Sequence, residues 1–175
     1  MILLFSLTSL MQAKETKIPE LKMTDINGKT YRVQGIKDGL LFKGLEGKIV
    51  FLEFFGHNCP PCLASIPHLI KLQKKYKDRL AIVAIEVQGL HNTQLANFAK
   101  KRGINYTVIA GEKSSVMVPY IRKRADWAGL IPYYLIVDTE AKVRYMQEGM
   151  IPEEILEKII LDLSPKKEQK KAVKK

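Results

Sequence analysis

A short stretch in which a buried strand gives way to a helix at a pair of cysteines constrains this sequence most. Residues 49–55 (IVFLEFF) form an apolar and aromatic run, which is typical of a buried strand. Gly56 ends the run, and a helical pattern follows Cys59 and Cys62, which are the only two cysteines in 175 residues. The sequence therefore predicts a Cys-x-x-Cys motif at the junction of a strand and a helix.

The start of a helix changes the chemistry of a cysteine. Its unpaired N–H groups and partial positive charge stabilise an anion, so we expect the Cys59 thiolate to be the nucleophile. Pro60 and Pro61 suit the first turn, because proline lacks an N–H that would be unpaired there. One helical turn brings Cys62 close enough to form a disulfide and to act as the resolving thiol. A protonated His57 would favour the thiolate further, although an exposed histidine without effect is the alternative.

Two other roles for the cysteine pair have weaker support. A disulfide that spans two residues constrains the unfolded chain little, so a purely structural bridge would stabilise the fold weakly. A structural zinc site needs four ligands, and the sequence offers no second cysteine pair and only His57, His68 and His91. We expect no metal and no separate cofactor, because the cysteine pair itself carries both electrons.

Glu53 is the charged residue inside the apolar run, six residues before Cys59. Alternation along a strand places its side chain on the face opposite Leu52 and Phe54. A carboxyl group in an apolar setting has a raised pKa, so Glu53 could accept and return the proton of Cys62 during exchange. The alternative is a glutamate that reaches solvent at the edge of a sheet.

The rest of the chain predicts an α/β fold with a mixed sheet, helices on both faces and an N-terminal β-hairpin. The hairpin covers residues 21–33, with Asn27-Gly28 as its turn. Residues 35–48 are rich in glycine and read as a loose connection. Further strands are predicted at 80–87, 106–110, 133–137 and 143–147, and helices at 64–76, 92–101, 116–124 and 152–163. The core face of the last helix is predicted to carry Ile155, Leu156, Ile159, Ile160 and Leu163.

The two ends of the chain differ from its centre in composition. Residues 1–13 contain an apolar run that is too short to span a bilayer comfortably, so we interpret them as a signal peptide. An uncleaved N-terminal anchor is one alternative, and a disordered start or a buried strand is the other. Residues 166–175 hold six lysines and one glutamate, which gives +5 of the formal net charge of +11. We expect the tail, residues 164–175, to be solvated and disordered. The alternative is that the tail makes weak contact with an anionic membrane surface. No aromatic-interleaved basic motif indicates nucleic-acid binding.

The segment FFGHNCPPC (54–62) resembles the active-site segment of thioredoxin-fold thiol-disulfide oxidoreductases of the TlpA/ResA type. Residues 129–138 (GLIPYYLIVD) resemble the segment of that family in which a cis-proline precedes a strand. Residues 25–30 (DINGKT) resemble its N-terminal hairpin turn. The resemblance covers residues 18–163 and implies one thioredoxin-like domain there. The family usually has tryptophan directly before the first cysteine, where this sequence has Asn58.

This resemblance implies roles for three residues. The Ile131–Pro132 peptide bond would be cis and would turn the backbone of Ile131 towards the dithiol. The N–H and C=O groups of Ile131 would then bind a substrate chain as an added strand. An acidic residue at the position of Glu53 assists proton transfer in the thioredoxin family.

The resemblance also implies an exported enzyme that reduces protein disulfides, for example those of apo-cytochrome c. Its partners would be client proteins with disulfides or thiols and a membrane electron donor or acceptor. Export to the periplasm or another extracytoplasmic space would place the cysteines where disulfides form. A dithiol oxidase or isomerase requires only a different redox poise. From another class, a copper-binding thioredoxin-like module without exchange activity is the alternative.

Overall fold

The structure, a computed structural model, describes residues 20–114 and 116–165. Its strands are β1 (Glu20–Thr24), β2 (Thr30–Ile36), β3 (Gly39–Phe42), β4 (Ile49–Phe55), β5 (Leu80–Glu86), β6 (Thr107–Ala110), β7 (Tyr133–Val137) and β8 (Val143–Glu148). Its helices are α1 (Pro60–Lys75), α2 (Asn92–Arg102), α3 (Met117–Ala125) and α4 (Glu153–Leu163), with a 3-10 turn at Gly111–Ser114. No helix in this part of the chain is long and apolar enough to cross a bilayer. The predicted signal or anchor (1–13) and residues 166–175 of the predicted tail lie outside the described residues.

The central sheet has five strands in the order β6-β5-β4-β7-β8. Strand β4 pairs in parallel with β5, and β5 pairs in parallel with β6. Strand β7 runs antiparallel to both β4 and β8. This arrangement confirms the predicted mixed sheet. Every residue of β4 is buried, which explains why its sequence is an almost continuous apolar run.

Helices cover both faces of the central sheet, as predicted. On one face, Leu52 and Phe54 of β4 pack in a cluster with Met117 of α3 and with residues of β1, β2 and β3. On the other face, Phe51 of β4 packs with side chains of α1 and α4. Helix α2 contributes Leu95 to a third cluster, which contains both cysteines. The cysteine pair therefore lies against a well-packed core at one end of β4.

The N-terminal hairpin is confirmed, and it is extended by a strand that the sequence did not predict. Strands β1 and β2 are antiparallel, but β2 also pairs with β3, which lies inside the segment predicted to be a loose connection. A Cβ atom on Gly39 would lie 1.8 Å from Ala141 O. Glycine therefore lets β3 pass close to the β7–β8 turn, where Leu40 N donates a hydrogen bond to Ala141 O (2.9 Å).

Two helices differ in part from the prediction. Helix α1 begins at Pro60, which confirms that Pro60 and Pro61 belong to its first turn, and it starts four residues before the span that its apolar spacing predicts. In α4, Leu156, Ile159 and Ile160 are buried as predicted, but Ile155 is 46% exposed. Each residue turns an α-helix by about 100°, so Ile155 lies at the edge of the apolar stripe centred on Leu156 and Ile160.

Candidate active site

Cys59 and Cys62 form a disulfide at the start of α1, with their Cα atoms 5.2 Å apart. Cys59 is the N-cap residue, and its Sγ accepts a hydrogen bond from Cys62 N at 3.3 Å. Pro60 and Pro61 occupy the first two helical positions, where no N–H is needed. Cys59 is 6% exposed, whereas Cys62 is fully buried. Cys59 is therefore the sulfur that another molecule reaches first.

A cis peptide bond faces the disulfide. The Ile131–Pro132 bond is cis, which confirms the prediction. Ile131 O lies 3.7 Å from Cys59 Sγ, so the loop that contains the cis bond is in contact with the more accessible sulfur. Pro132 O in turn accepts a hydrogen bond from Gly149 N at 2.8 Å, which ties the loop to the end of β8.

Two buried aromatic side chains support the cis-proline loop. Trp127 and Tyr133 stack with their ring centroids 5.0 Å apart, and both belong to the core rather than to an open groove. Trp127 Nε1 donates a hydrogen bond to Leu130 O at 2.7 Å. The Leu130 side chain is 62% exposed, so an apolar group is presented to solvent one residue before Ile131.

Glu53 lies inside the central sheet with 2% of its surface exposed. It is directly opposite Tyr134 of β7, whose hydroxyl donates a hydrogen bond to Glu53 Oε1 at 2.8 Å. Burial raises the pKa of Glu53 to about 7, and the hydrogen bond from Tyr134 partly opposes this rise. The predicted burial and raised pKa are confirmed, and the alternative of a solvent-exposed glutamate is wrong. Proton exchange between Glu53 and Cys62 stays a prediction.

A second buried carboxyl group, that of Glu86 at the end of β5, holds the loop before α1. Its side chain is fully buried, and its Oε1 accepts hydrogen bonds from His57 Nδ1 (2.8 Å) and His57 N (3.4 Å). Glu86 also accepts from the backbone N–H groups of Gln88 (3.1 Å), Gly89 (3.0 Å) and Leu90 (2.9 Å). One side chain thus joins the loop after β4 to the loop after β5.

Gln88 contacts the same loop on both sides of His57. Its Oε1 accepts a hydrogen bond from Asn58 N at 2.8 Å. A Cβ atom on Gly56 would lie 2.3 Å from Gln88 Cδ, so a larger residue there would displace the Gln88 side chain. The His57 imidazole pairs with Glu86, and no hydrogen bond joins it to Cys59 among the described residues. Its predicted tuning of the thiolate stays a prediction.

The other histidines pair with carboxylates on the protein surface. His68 Nδ1 pairs with Glu153 of α4, and His91 Nδ1 lies 2.9 Å from Glu112 Oε2. In residues 20–114 and 116–165, no three or more His, Cys, Asp and Glu side chains come together in a way that could hold a metal ion.

Tyr134, Glu86 and Gln88 were not among the residues predicted from the sequence. A signal existed for Glu86, because it ends a predicted parallel strand beside the strand that leads to the cysteines. The carboxyl ends of neighbouring parallel strands meet at the same edge of a sheet. Tyr134 gave no such signal, because the register between β4 and β7 decides which residue lies opposite Glu53.

A disulfide at the start of a helix, facing a cis-proline at the edge of a mixed sheet, defines the class of thioredoxin-fold thiol-disulfide oxidoreductases. The sequence matches the AhpC/TSA family over residues 15–146, and the chain belongs to this family. The resemblance drawn from the segment around the cysteines is thereby confirmed at the level of the family.

Individual relatives agree with this assignment. The chain is 27% identical over 148 residues to the thiol-disulfide oxidoreductase ResA of Bacillus thuringiensis (strain Al Hakam), which covers 84% of this chain and 76% of the relative. The fold is similar to that of a thiol:disulfide interchange protein of Chlorobium tepidum TLS (TM-score 0.69, 22% identity, 86% of this chain and 97% of the other). It is also similar to a secreted Mycobacterium tuberculosis disulfide oxidoreductase (TM-score 0.61, 18% identity, 86% of this chain and 100% of the other).

Proposed function

We propose that this protein reduces disulfides in client proteins outside the cytoplasm, with apo-cytochrome c as the example implied by its resemblance to the TlpA/ResA type. One observation carries the proposal: the Cys59–Cys62 disulfide lies at the start of α1, with its more accessible sulfur next to Ile131. Oxidation and isomerisation use the same geometry, so the redox potential of the pair decides between these directions.

The exchange proceeds in two steps. In the reduced protein, the Cys59 thiolate attacks one sulfur of a client disulfide, which forms a mixed disulfide and releases one client thiolate. The Cys62 thiol then loses its proton, and its thiolate attacks Cys59 Sγ. This second step closes the Cys59–Cys62 disulfide, releases the second client thiolate and completes the transfer of two electrons to the client.

Glu53 takes the proton of Cys62 in the second step. A general base works best when its pKa is near the operating pH, and burial raises the pKa of Glu53 to about 7. Ile131 binds the client by its backbone, as an added strand next to Pro132. The exposed side chain of Leu130 adds an apolar contact for the client on the same loop.

The proposed location is the periplasm or another extracytoplasmic space. The Mycobacterium tuberculosis disulfide oxidoreductase with a similar fold is described as secreted. Such a location requires an electron donor or acceptor in the membrane to return the cysteines to their starting state. Weak contact of the basic tail with an anionic membrane surface would bring the two together. No separate cofactor and no nucleic acid take part in the proposed reaction.

Two cysteine variants test the reaction. Cys59→Ser is expected to abolish the protein's acceleration of insulin reduction by dithiothreitol, because the attacking thiolate is gone. Cys62→Ser is expected to attack normally but to accumulate mixed disulfides, which appear as added mass in intact-protein mass spectrometry. An active Cys59→Ser variant would contradict the assignment of the nucleophile.

The equilibrium potential of the Cys59–Cys62 pair against glutathione tests the direction. A value near that of thioredoxin, about −270 mV, supports reduction of clients, whereas a value near that of DsbA, about −120 mV, supports oxidation. The alternative of a copper module without exchange activity predicts stoichiometric copper in the purified protein and no reduction of insulin by the wild type.

A further inference from the structure

The side chain of Arg122, in the last turn of α3, lies against the loop that contains the cis-proline. Arg122 is an exposed residue, and its guanidinium carbon lies 5.6 Å from the centroid of the Trp127 ring. A Cβ atom on Gly129 would lie 2.3 Å from Arg122 Nη2, so the guanidinium covers this glycine directly. Gly129 comes two residues before Ile131. A positive charge therefore lies at the start of the segment that is proposed to bind the client.

Two hydrogen bonds hold Trp127, whose ring the guanidinium faces. Trp127 N donates to Arg122 O at 3.1 Å, and Trp127 Nε1 donates to Leu130 O at 2.7 Å. A planar guanidinium stacks on an aromatic face and keeps the N–H groups at its edge for other partners. The contact with Trp127 therefore restrains the charge of Arg122 without occupying its donors.

These donors have no acceptor in the part of the chain that the structure describes. No hydrogen bond or ion pair of the Arg122 guanidinium is found within residues 20–114 and 116–165. Arg124, two residues later in α3, differs in this respect, because its guanidinium donates to Ile36 O and Lys37 O. Arg124 thus fastens α3 to the N-terminal sheet, whereas Arg122 is left for a partner outside the described chain.

Two carboxyl groups lie on the segments next to the loop. Asp126 is the exposed residue that ends α3, and Glu148 of β8 lies opposite Tyr133 at the far end of the loop. Neither forms an ion pair with Arg122 within the described ranges. Burial, and then the charge of Glu148, raise the pKa of Tyr133. The loop therefore has Arg122 at its Gly129 end and an acidic group at its Tyr133 end.

We propose that Arg122 binds an acidic side chain of the client, close to the cysteine that Cys59 attacks, and so selects clients of that chemistry. A client that pairs with Ile131 as an added strand also passes Gly129, because two residues span at most roughly 7 Å of chain. A carboxylate at that point meets the fork of guanidinium N–H groups, which binds carboxylates through two parallel hydrogen bonds. The inference rests on the proposed binding of clients at Ile131 and adds the class of side chain that is recognised beside it.

Activated peptide disulfides test this selectivity in full-length Cys62→Ser protein. The Cys59 thiolate attacks the peptide sulfur of a peptide–thiopyridyl disulfide, which forms a mixed disulfide and releases thiopyridone, a neutral leaving group that is followed by its absorbance. Three peptides differ in one residue, Glu, Gln or Lys, placed two positions before the cysteine, and a second set has it two positions after. At low salt we expect one set to react about fivefold faster with Glu than with Lys, from an exposed ion pair and the matching repulsion.

Arg122→Gln is the test variant, and Lys123→Gln is its matched control. Lys123 is the next residue of α3 and is also exposed, so each substitution removes one positive charge from the same helix. Arg122→Gln is expected to bring the Glu-to-Lys rate ratio below about twofold, whereas Lys123→Gln keeps most of it. Arg122→Glu is expected to reverse the preference. The rate with the Gln peptide should not change in Arg122→Gln, because Cys59 and its helix are unaltered.

The role of Arg122 is refuted by a ratio below about twofold in both peptide sets before Arg122 is changed, or by an equal fall of the ratio in Lys123→Gln. It is also refuted if Arg122→Gln slows all three peptides alike, because Arg122 would then support the loop without reading charge.

The assay needs only the attack by Cys59, so it does not depend on the direction of electron flow. A protein that shows this selectivity but has an oxidising Cys59–Cys62 pair would refute the proposed reduction and leave the role of Arg122 standing. A reducing pair without the selectivity would have the reverse meaning, and no attack on any peptide would refute both.

Discussion

Replacing Glu53 by glutamine isolates the cost of burying its charge. The pKa of Glu53 rises from 4.5 to about 7 in the folded chain, chiefly because the group is buried. Between these two pH values, Glu53 keeps its proton in the folded chain and loses it in the unfolded chain. The contribution of Glu53 to the free energy of unfolding is therefore fully present below pH 4.5 and is lost as the pH rises through about 7. At about 1.4 kcal/mol for each pKa unit, the loss is about 3 kcal/mol.

Glu53→Gln should therefore become more stable relative to the wild type as the pH rises. Glutamine stays neutral, and its side-chain oxygen can still accept the hydrogen bond from Tyr134. Urea unfolding of both oxidised proteins gives the free energy of unfolding at each pH. We expect the difference between variant and wild type to change by about 3 kcal/mol in favour of the variant between about pH 4 and about pH 8.

Glu153→Gln is the matched control with the opposite sign. The hydrogen bond with His68, followed by that from Lys71, lowers the pKa of Glu153. The contribution of Glu153 to the free energy of unfolding is therefore present above its pKa in the unfolded chain and is lost as the pH falls. This variant should lose stability relative to the wild type as the pH rises. If the Glu53→Gln difference is the same at both pH values, Glu53 does not carry a raised pKa and cannot serve as the proposed base.

Two other substitutions test the scaffold of the site. Glu86→Gln places an amide NH₂ group among four backbone N–H donors, so we expect it to lower the free energy of unfolding by about 1–3 kcal/mol and to speed hydrogen exchange at the amides of His57 and Leu90. Phe51→Ala removes a fully buried ring from the cluster of α1 and α4, so guanidinium unfolding should show a loss of about 3–5 kcal/mol, while the potential of the disulfide stays unchanged.

The centre of the site could be predicted from the sequence because its signals are local. A buried apolar run, a glycine, two cysteines and two prolines lie within 14 consecutive residues, 49–62. Each constrains its neighbours directly: the run forms β4, and the prolines fit only the first turn of α1. Even Glu53 stands out, because a charge inside such a run demands an explanation.

The parts that were missed depend on pairing between distant segments. Strand β3 begins with a glycine, which locally favours a loop over a strand. In the structure, Gly39 allows β3 to pass close to Ala141, which lies about a hundred residues later in the chain. Tyr134 appears in the sequence as one more residue of an apolar strand. Only the register of β4 against β7 places its hydroxyl opposite Glu53. No local pattern contains that register.

The two buried carboxyl groups of this site differ in the number of hydrogen bonds that fix them, and this difference separates their roles. Glu86 accepts hydrogen bonds from four backbone N–H groups and one imidazole, so a proton on it would displace donors that belong to two loops. Within residues 20–114 and 116–165, Glu53 receives one hydrogen bond, from the hydroxyl of Tyr134. A proton on Glu53 therefore disturbs a side-chain hydrogen bond and no backbone N–H donor that the structure describes. This difference supports the proposal that Glu53 exchanges the proton, while Glu86 keeps the loop before Cys59 in place.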